Sequence, residues 1–278
     1  MPEYQAPIAD MKFVLRELVD MDLLAQLPGF ADFNLETAEA VLEEAGKFAA
    51  GVLSPLNRSG DLEGARWQEG GVLTAAGWKQ AYTRFAADGW NALSCPEEFG
   101  GQNLPRVLSA LIEEMWNGAN VAFALCPMLT RGAIDAIELR GSKALCKTYL
   151  PNMVSGEWTG TMNLTEPQAG SDLSAVRTVA VPTGDGRYRL KGQKILITYG
   201  EHDLTGNIVH MVLGRMAGAP EGVKGISLFL VPKFLVNDDG SLGARNDVHC
   251  VSIEHKLGIH ASPTCVLAFG QNGAPSAN

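Results

Sequence analysis

Three scarcities narrow the function of this sequence before any motif is considered. Its five cysteines, Cys95, Cys126, Cys146, Cys250 and Cys265, are an odd number, lie far apart and include no CxxC pair. That argues against a disulfide framework or a cysteine-built zinc site and leaves free thiols as the expectation. No stretch reaches the roughly 18 consecutive apolar residues that a membrane-spanning helix needs. The opening residues, MPEYQAPIADMK, have neither the basic start nor the unbroken apolar segment of a secretory leader. A soluble, intracellular, cytoplasmic protein is therefore expected. Positive charge is also scarce, 22 Lys and Arg against 31 Asp and Glu, for a net charge of -9. Nucleic-acid binders gain affinity by replacing counterions with Lys and Arg, so a phosphate-tracking role is disfavoured, although a local basic patch is not. The histidines at 202, 210, 249, 255 and 260 show no metal-ligand spacing and read as strand or loop surface.

What is present is a globular balance, 46% hydrophobic and 19% charged over 278 residues, sufficient for one large domain or two smaller ones. The first half has helical period. Over residues 8–27, Met11, Leu15, Leu18, Asp22 and Ala25 trace one stripe; a cleaner stripe, Leu35, Ala38, Leu42, Ala45, Ala49 and Val52, starts at a cap, Asn34, and stops at Pro55. Residues 60–71 read as a loop, and Thr74 as the cap of a helix that turns Trp78, Ala81, Tyr82 and Phe85 inward. After the breaker-rich turn 96–101, a helix begins near Pro105 and carries Leu108, Leu111, Ile112, Met115 and Trp116. Two more helical stretches fit 121–138 and 142–149, and Pro151 closes the helical half.

From Trp158 the period falls to two. Strands are expected at 159–164, 188–198, 207–215, 225–231, 248–253 and 264–269, with Asp185-Gly186 as a hairpin-type turn. Helices first and strands second make an α+β chain. Its expected parts are an extension helix over 1–33, an all-helical domain over 34–157, an antiparallel β-barrel or sandwich over 158–272 and a polar tail over 273–278. The methionines at 115, 128, 153, 162, 211 and 216 read as core, and the basic residues of 187–194 as a solvated strand face.

The most informative stretch is Thr165-Glu166-Pro167-Gln168-Ala169-Gly170-Ser171-Asp172, directly after the strand at 159–164. Pro167 and Gly170 force a tight path that can aim backbone N–H groups at one ligand, and Thr165 and Ser171 add hydroxyls suited to an oxygen-rich ring or a phosphate. On residue chemistry alone, a strand-to-strand loop with its own hydroxyl turns is the simpler reading.

TEPQAGSD, however, resembles the TEPxAGSD signature of the acyl-CoA dehydrogenases, and Gly192-Gln193-Lys194-Ile195-Leu196-Ile197-Thr198 is similar to the family's NGxKxWIT segment at the right separation. Pro96 to Gly101 is similar to the PExxGG turn, and residues 256–264, KLGIHASPT, to KLGxRxSxT. The extension before Asn34 and Gly200-Glu201-His202-Asp203 look most like the long branch that includes 3-methylmercaptopropionyl-CoA dehydrogenases.

This resemblance implies FAD as cofactor, an acyl-CoA substrate, electron-transfer flavoprotein as electron acceptor and a homo-oligomer. It places Leu164 and Thr165 at the pyrimidine edge of the flavin, Gly170 and Ser171 where the FAD pyrophosphate and the CoA arm pass, and Thr198 toward flavin N5 and O4. Met162, Leu196 and Ile197 are the remaining expected neighbours of the ring, and Ser171 also meets substrate. The floor of the acyl pocket falls on helix residues 123–130. Two departures stand out: Leu196 where many members have Trp, and His260 in place of Arg. The family's catalytic carboxylate comes from a C-terminal helical domain that this chain is expected to lack, so no residue here maps to it; Glu166 and Asp172 read as fixing the loop's backbone. Helices around 108–116 and the β-domain are then expected to expose apolar surface. The alternatives are a non-catalytic truncated protein that binds FAD or a partner, and an acyl-CoA oxidase or flavin monooxygenase of the same fold.

Overall fold

The computed structural model describes residues 4–68 and 71–271, and the backbone of 276–277. Apolar residues three and four apart build the helical part, and polar caps decide where each helix begins. The expected single helix over 8–27 is two, α1 (Ile8–Glu17) and α2 (Met21–Ala25), with Asp20 capping the second. Met11 and Leu15 are buried but Leu18 is 72% exposed, because the stripe ends one turn earlier than its spacing implies. Lys12 pairs with Glu43 at 2.6 Å and Arg16 with Glu39 at 2.6 Å. These pairs lay α1 along α3 (Leu35–Phe48), whose cap is Asn34, accepting from the Thr37 amide at 2.9 Å.

Pro55 does not stop this helix. A π-helical turn, Ala49–Leu53, leads into α4 (Ser54–Glu63), and Pro55 sits in the first turn of α4, directly after the π-turn that widens the ladder ahead of it. The expected loop over 60–71 is therefore helix as far as Glu63, then a hairpin of β1 (Arg66–Gln68) and β2 (Gly71–Leu73). Thr74 does not cap α5 (Trp78–Ala87), which starts instead at left-handed Gly77. The PEEFGG turn forms as expected: Gly100 has φ 88°, and a Cβ on Gly101 would lie 2.0 Å from the Cys95 carbonyl oxygen.

The two helices expected after Pro105 form as two arms of α6 (Arg106–Arg140), divided by a kink at Asn120, whose φ of -161° and ψ of 85° are not helical, so the second arm starts at residue 121 as expected. The fully buried Asn120 amide donates to the Leu53 carbonyl at 3.1 Å, and its oxygen accepts from the Phe123 amide at 3.1 Å, so one side chain caps the second arm and ties it to the π-turn. Pro151 lies inside α7 (Lys143–Val154) and does not end it. The helical core closes on rings packed edge to face, Phe48 with Trp116 at 5.5 Å, Trp90 with Trp116 at 5.3 Å and Phe85 with Phe123 at 5.8 Å. Leu108, Ile112, Met115 and Trp116 are buried in it, so the apolar surface expected there is absent; α6 exposes Val121 and Met128 further along. Met216 is also exposed, so two of the six methionines expected in the core lie outside it.

Strands follow from β3 (Trp158–Asn163). An eight-stranded sheet has the order β10-β11-β5-β4-β6-β3, with β7 on β6 and β12 (Ser276–Ala277) on β5. Its other members are β4 (Val179–Pro182), β5 (Tyr188–Thr198), β6 (Asn207–Met216), β7 (Ile226–Pro232), β10 (Val248–Ile253) and β11 (Thr264–Phe269). Strands β8 (Phe234–Val236) and β9 (Leu242–Arg245) form a separate hairpin. The sheet is not wholly antiparallel: β3 and β4 both run parallel to β6. Sequence pattern missed β4, β8 and β9 because three or four residues are too few to show alternation. Of the polar tail, only β12 is described; residues 272–275 and 278 lie outside the described residues.

Buried polar groups join the helical part to the sheet. Tyr199, at φ 52°, donates its hydroxyl to the Ala122 carbonyl on α6 at 2.7 Å and accepts from Trp78 Nε1 at 3.1 Å. Asp203 accepts from the amide and hydroxyl of Thr74 at 3.0 and 2.7 Å. His202 and His210, expected on the surface, are instead fully buried against the Thr159 and Thr161 hydroxyls of β3. Burial, reinforced by the Lys233 ammonium, pushes both imidazoles down to about 3. Glu201, also buried, lies between Lys233 and Arg245.

Replacing Asn120 by Ala removes the cap of the second arm and its bond to the Leu53 carbonyl, which is expected to cost about 2 kcal/mol in urea unfolding. A loss below about 0.5 kcal/mol would show that the kink does not need this side chain. His202 and His210 stay neutral in the fold but take up protons near 6.5 once unfolded. Their contribution is intact above that value and is lost as pH falls toward 3. Urea midpoints should therefore drop between pH 7 and 5, and the drop should shrink in His210→Gln; equal slopes in both proteins would contradict this.

Candidate functional site

The loop after β3 is held by one side chain at its centre. Glu166 is 3% exposed, and its carboxylate accepts from the amides of Arg177 and Thr178 at 2.7 and 3.0 Å and from Lys194 Nζ at 2.8 Å. Gln168 Nε2 donates a fourth bond at 2.6 Å. Burial alone would raise this carboxyl, but the bonds from Lys194, Thr178 and Arg177 outweigh it and bring it down to about 2. Lys194, expected on a solvated face, is completely buried. Strand alternation explains the correction: Arg189, Lys191 and Gln193 point outward while Leu190 and Lys194 point inward. Burial draws the Lys194 ammonium below its usual value while Glu166 opposes the shift.

The same lysine reaches the chain just before the loop, donating to the Leu164 carbonyl at 2.9 Å, and the Ile195 amide donates to the Thr165 carbonyl at 2.9 Å. The two motif segments are thus joined side by side. Asp172 is spent locally, accepting from the Ser174 amide at 2.9 Å. Both carboxylates fix backbone, as their place in a Gly/Pro turn implied.

Opposite β11, strand β5 carries one residue more than its partner between Lys194 and Ile197, a β-bulge with Leu196 at φ 59°. Bulges re-aim a side chain out of the regular alternation. Leu196 is accordingly 55% exposed, whereas Ile197 is buried, so only the backbone of Ile197 faces the site. Thr198, half-buried, closes the strand beside Thr264. It lies three residues from the point where Thr165 is bonded, at most roughly 10 Å of strand, about the length of a fused three-ring system.

The expected residues therefore fall into groups. The bond from Ile195 to Thr165 sets Leu164 and Thr165 beside the end of β5 that carries Leu196 and Thr198, an edge of the site and not of the sheet, since β5 lies between β11 and β4. Gly170 borders that edge, where a Cβ would come 3.9 Å from Thr165 Cγ2. Ser171 is exposed on the outer limb of the loop, and Met162 packs instead toward α6 and α7. An exposed leucine on a strand that also carries one threonine and is bonded to a second suits a flat ring with apolar faces and a polar rim. Sequence reasoning missed Lys194 and Tyr199; the inward register of Lys194 was the available signal for the first, and Tyr199 offered none. His260 is tied to α4, with Nδ1 3.0 Å from the Asp61 carbonyl and Nε2 2.7 Å from the Lys256 carbonyl. Among the described residues, no three His, Cys, Asp or Glu side chains are grouped to hold a metal ion, and no helix is long and apolar enough to cross a membrane.

Two family models match: the acyl-CoA dehydrogenase N-terminal domain over residues 35–157 and the acyl-CoA dehydrogenase middle domain over 161–271. The chain is 50% identical over 266 residues to a 3-methylmercaptopropionyl-CoA dehydrogenase of Ruegeria pomeroyi, covering 96% of this chain and 45% of that protein. It is 40% identical to a butyryl-CoA dehydrogenase of Syntrophomonas wolfei, covering 97% and 45%. The chain thus spans less than half the length of these curated relatives. The solved butyryl-CoA dehydrogenase of Megasphaera elsdenii superposes with a TM-score of 0.68 at 24% identity, covering 89% of this chain and 58% of that one, which shows a shared fold.

Glu166→Gln would leave the Lys194 charge buried without its counterion, and a loss of about 3–5 kcal/mol is expected in chemical unfolding. Adding Lys194→Met removes the unpaired buried charge and should restore part of it, not all, because the Arg177 and Thr178 amides bond different oxygens of Glu166 and Gln offers only one. A double variant no more stable than the single one would show that the ion pair is not what holds the loop. The wild-type contribution is present above the ordinary carboxyl value of 4.5 and is lost as pH falls toward about 2.

Proposed function

Since this chain belongs to the acyl-CoA dehydrogenase family, carrying its N-terminal and middle domains, we propose that it holds FAD on the edge where the loop after β3 meets β5. Its reaction on this reading is the α,β-dehydrogenation of an acyl-CoA thioester. The observation that carries the proposal is the bonded juxtaposition of the two motif segments: Lys194 spans Leu164 and Glu166, and Ile195 bonds Thr165. FAD supplies a ring that accepts hydride from the β-carbon of the substrate.

The chain's own residues supply position and polarity. Thr165 and Thr198 set hydroxyls at the two ends of the edge, where fixed donors favour a ring that gains negative charge. Leu196 offers an apolar contact to the ring face, in place of the indole common in the family, and the bulge at 195–196 turns it outward. Gly170 leaves room for the chain of the cofactor or substrate to pass close to Thr165, and Ser171 stands on the limb where the CoA arm would run.

A base must also take the α-proton. Glu166 is saturated by four donors, and Asp172 accepts from the Ser174 amide in an exposed turn, so on this reading both carboxylates fix the loop and neither is the base. The family assigns that base to a helical domain beyond the middle one, and the same holds in this proposal. Electron-transfer flavoprotein as acceptor, a homo-oligomeric assembly and a cytoplasmic location complete the reading.

Protein purified from its complete reading frame is expected to be yellow and to bleach on adding a short or medium acyl-CoA without air. Thr198→Val should slow bleaching on the order of 10²-fold. Protein that stays colourless with added FAD, or a valine variant reduced at the wild-type rate, would contradict the proposal; rapid peroxide formation in air would turn it toward an oxidase.

A further inference from the structure

Both neighbours of β11 carry a bulge against the same short stretch of it. On one side β10 sets Cys250 opposite Leu267 and Ser252 opposite Val266, so Val251 is an extra residue. On the other side β5 sets Lys194 opposite Leu267 and Ile197 opposite Cys265, the bulge that turns Leu196 outward. Residues 265–267 of β11 therefore lie between two strands that are bent and more strongly twisted than a regular ladder.

On the β10 side this arrangement brings two free cysteines together. Cys250 stands opposite Leu267, and Cys265 lies two residues along β11, so the two share one face of the sheet as diagonal neighbours. Both pack into the same apolar cluster, with Leu267 and Val248. In a regular ladder such diagonal partners are about 7–8 Å apart at Cα, at the outer limit of what a disulfide can span. The bulge shortens that gap. Cys250 Sγ lies 3.3 Å from the Ser252 carbonyl, so the thiol leans along β10 toward the end that faces Cys265. The Cys265 thiol is hydrogen-bonded to Cys250, and that bond together with burial holds it well above the usual thiol range.

The two sulfurs differ in access. Cys265 is completely buried, whereas Cys250 is half-buried on the strand at the end of the sheet order. A small neutral oxidant reaches Cys250 first, and Cys265, shielded from solvent, meets only what Cys250 becomes.

We propose that Cys250 and Cys265 are an oxidisable pair, in which hydrogen peroxide converts Cys250 to a sulfenic acid and Cys265 closes it to a disulfide. The Cys250 sulfur gives up its proton and bonds one peroxide oxygen, the O–O bond breaks, and the other oxygen leaves as water. The Cys265 sulfur then bonds that of Cys250, the S–O bond breaks, and the departing hydroxide takes the Cys265 proton as a second water. Two electrons pass from the sulfur pair to the peroxide, and a thiol reductant returns them. The new bond pins β10 to β11 one residue from Thr264, which stands opposite Thr198 of β5, so the oxidation state of the pair is registered beside the candidate site.

The test uses protein from the complete reading frame, exposed to a small excess of hydrogen peroxide, stopped with catalase, unfolded in urea with N-ethylmaleimide and digested without reductant. Mass spectra should show the Cys250 and Cys265 peptides joined, at their summed mass less two hydrogens, and parted again by dithiothreitol. This pair should lose its maleimide label about tenfold faster than the buried Cys95 and Cys126. Cys265→Ser stops oxidation at the sulfenic acid, so dimedone labelling of Cys250 should rise about fivefold over wild type. Both cysteines recovered with maleimide after peroxide treatment would overturn the proposal, as would Cys250 found as sulfinic acid beside a maleimide-labelled Cys265. Dimedone labelling unchanged in a folded Cys265→Ser would do the same, and the wild-type map decides alone if that variant does not fold. None of these readouts depends on flavin or on an acyl-CoA, so their failure leaves the dehydrogenase reading standing.

Discussion

A buried ion pair organises this molecule's most distinctive surface. Without Lys194, nothing would tie the carbonyl of Leu164, the carboxylate of Glu166 and strand β5 together at one point. Without Glu166, the amides of Arg177 and Thr178 would lose their acceptor where the chain enters β4. Burying two opposite charges costs desolvation that their attraction alone barely offsets. The added amide bonds tip the balance, and what they provide is register. The loop after β3 can sit in only one way against β5, and Thr165 is therefore carried to the same edge as Leu196 and Thr198.

The bulge completes that arrangement. A regular strand would turn Leu196 inward with Lys194, two residues before it in the same register. The extra residue between Lys194 and Ile197 reverses this, so Leu196 faces out while Ile197 enters the core. Left-handed Tyr199 then drives a phenol into the helical part, bonded to Trp78 and Ala122. The edge where a ring would lie is thereby anchored at one end by the ion pair and at the other by a contact between strand and helices.

How far this was legible in the sequence depends on what carried each signal. Long segments declared themselves: the strand at 188–198 lies where alternation put it, those at 248–253 and 264–269 where runs of strand length put them, and Asn34 caps α3 as its side chain implied. Prolines misled in two places, since Pro55 and Pro151 both sit within helical turns that tolerate them, and a pattern read residue by residue takes each as a stop. Polar residues misled in another way. His202, His210 and Lys194 looked like surface by type, but burial is decided by the partners the fold brings, here Thr159, Thr161 and Glu166, which lie 28 to 49 residues away along the chain. The motif residues could be named from resemblance, whereas the bulge and the clamp between the motifs depend on three-dimensional contacts that no local pattern encodes.

The most direct measurement is a crystal structure of the yellow protein with its flavin bound. The account predicts one isoalloxazine ring lying along the edge where the loop after β3 meets β5, with Leu196 against its face and the hydroxyls of Thr165 and Thr198 each within about 3 Å of a ring heteroatom. A ring seated elsewhere, or one approached by only one of the two threonines, would contradict it.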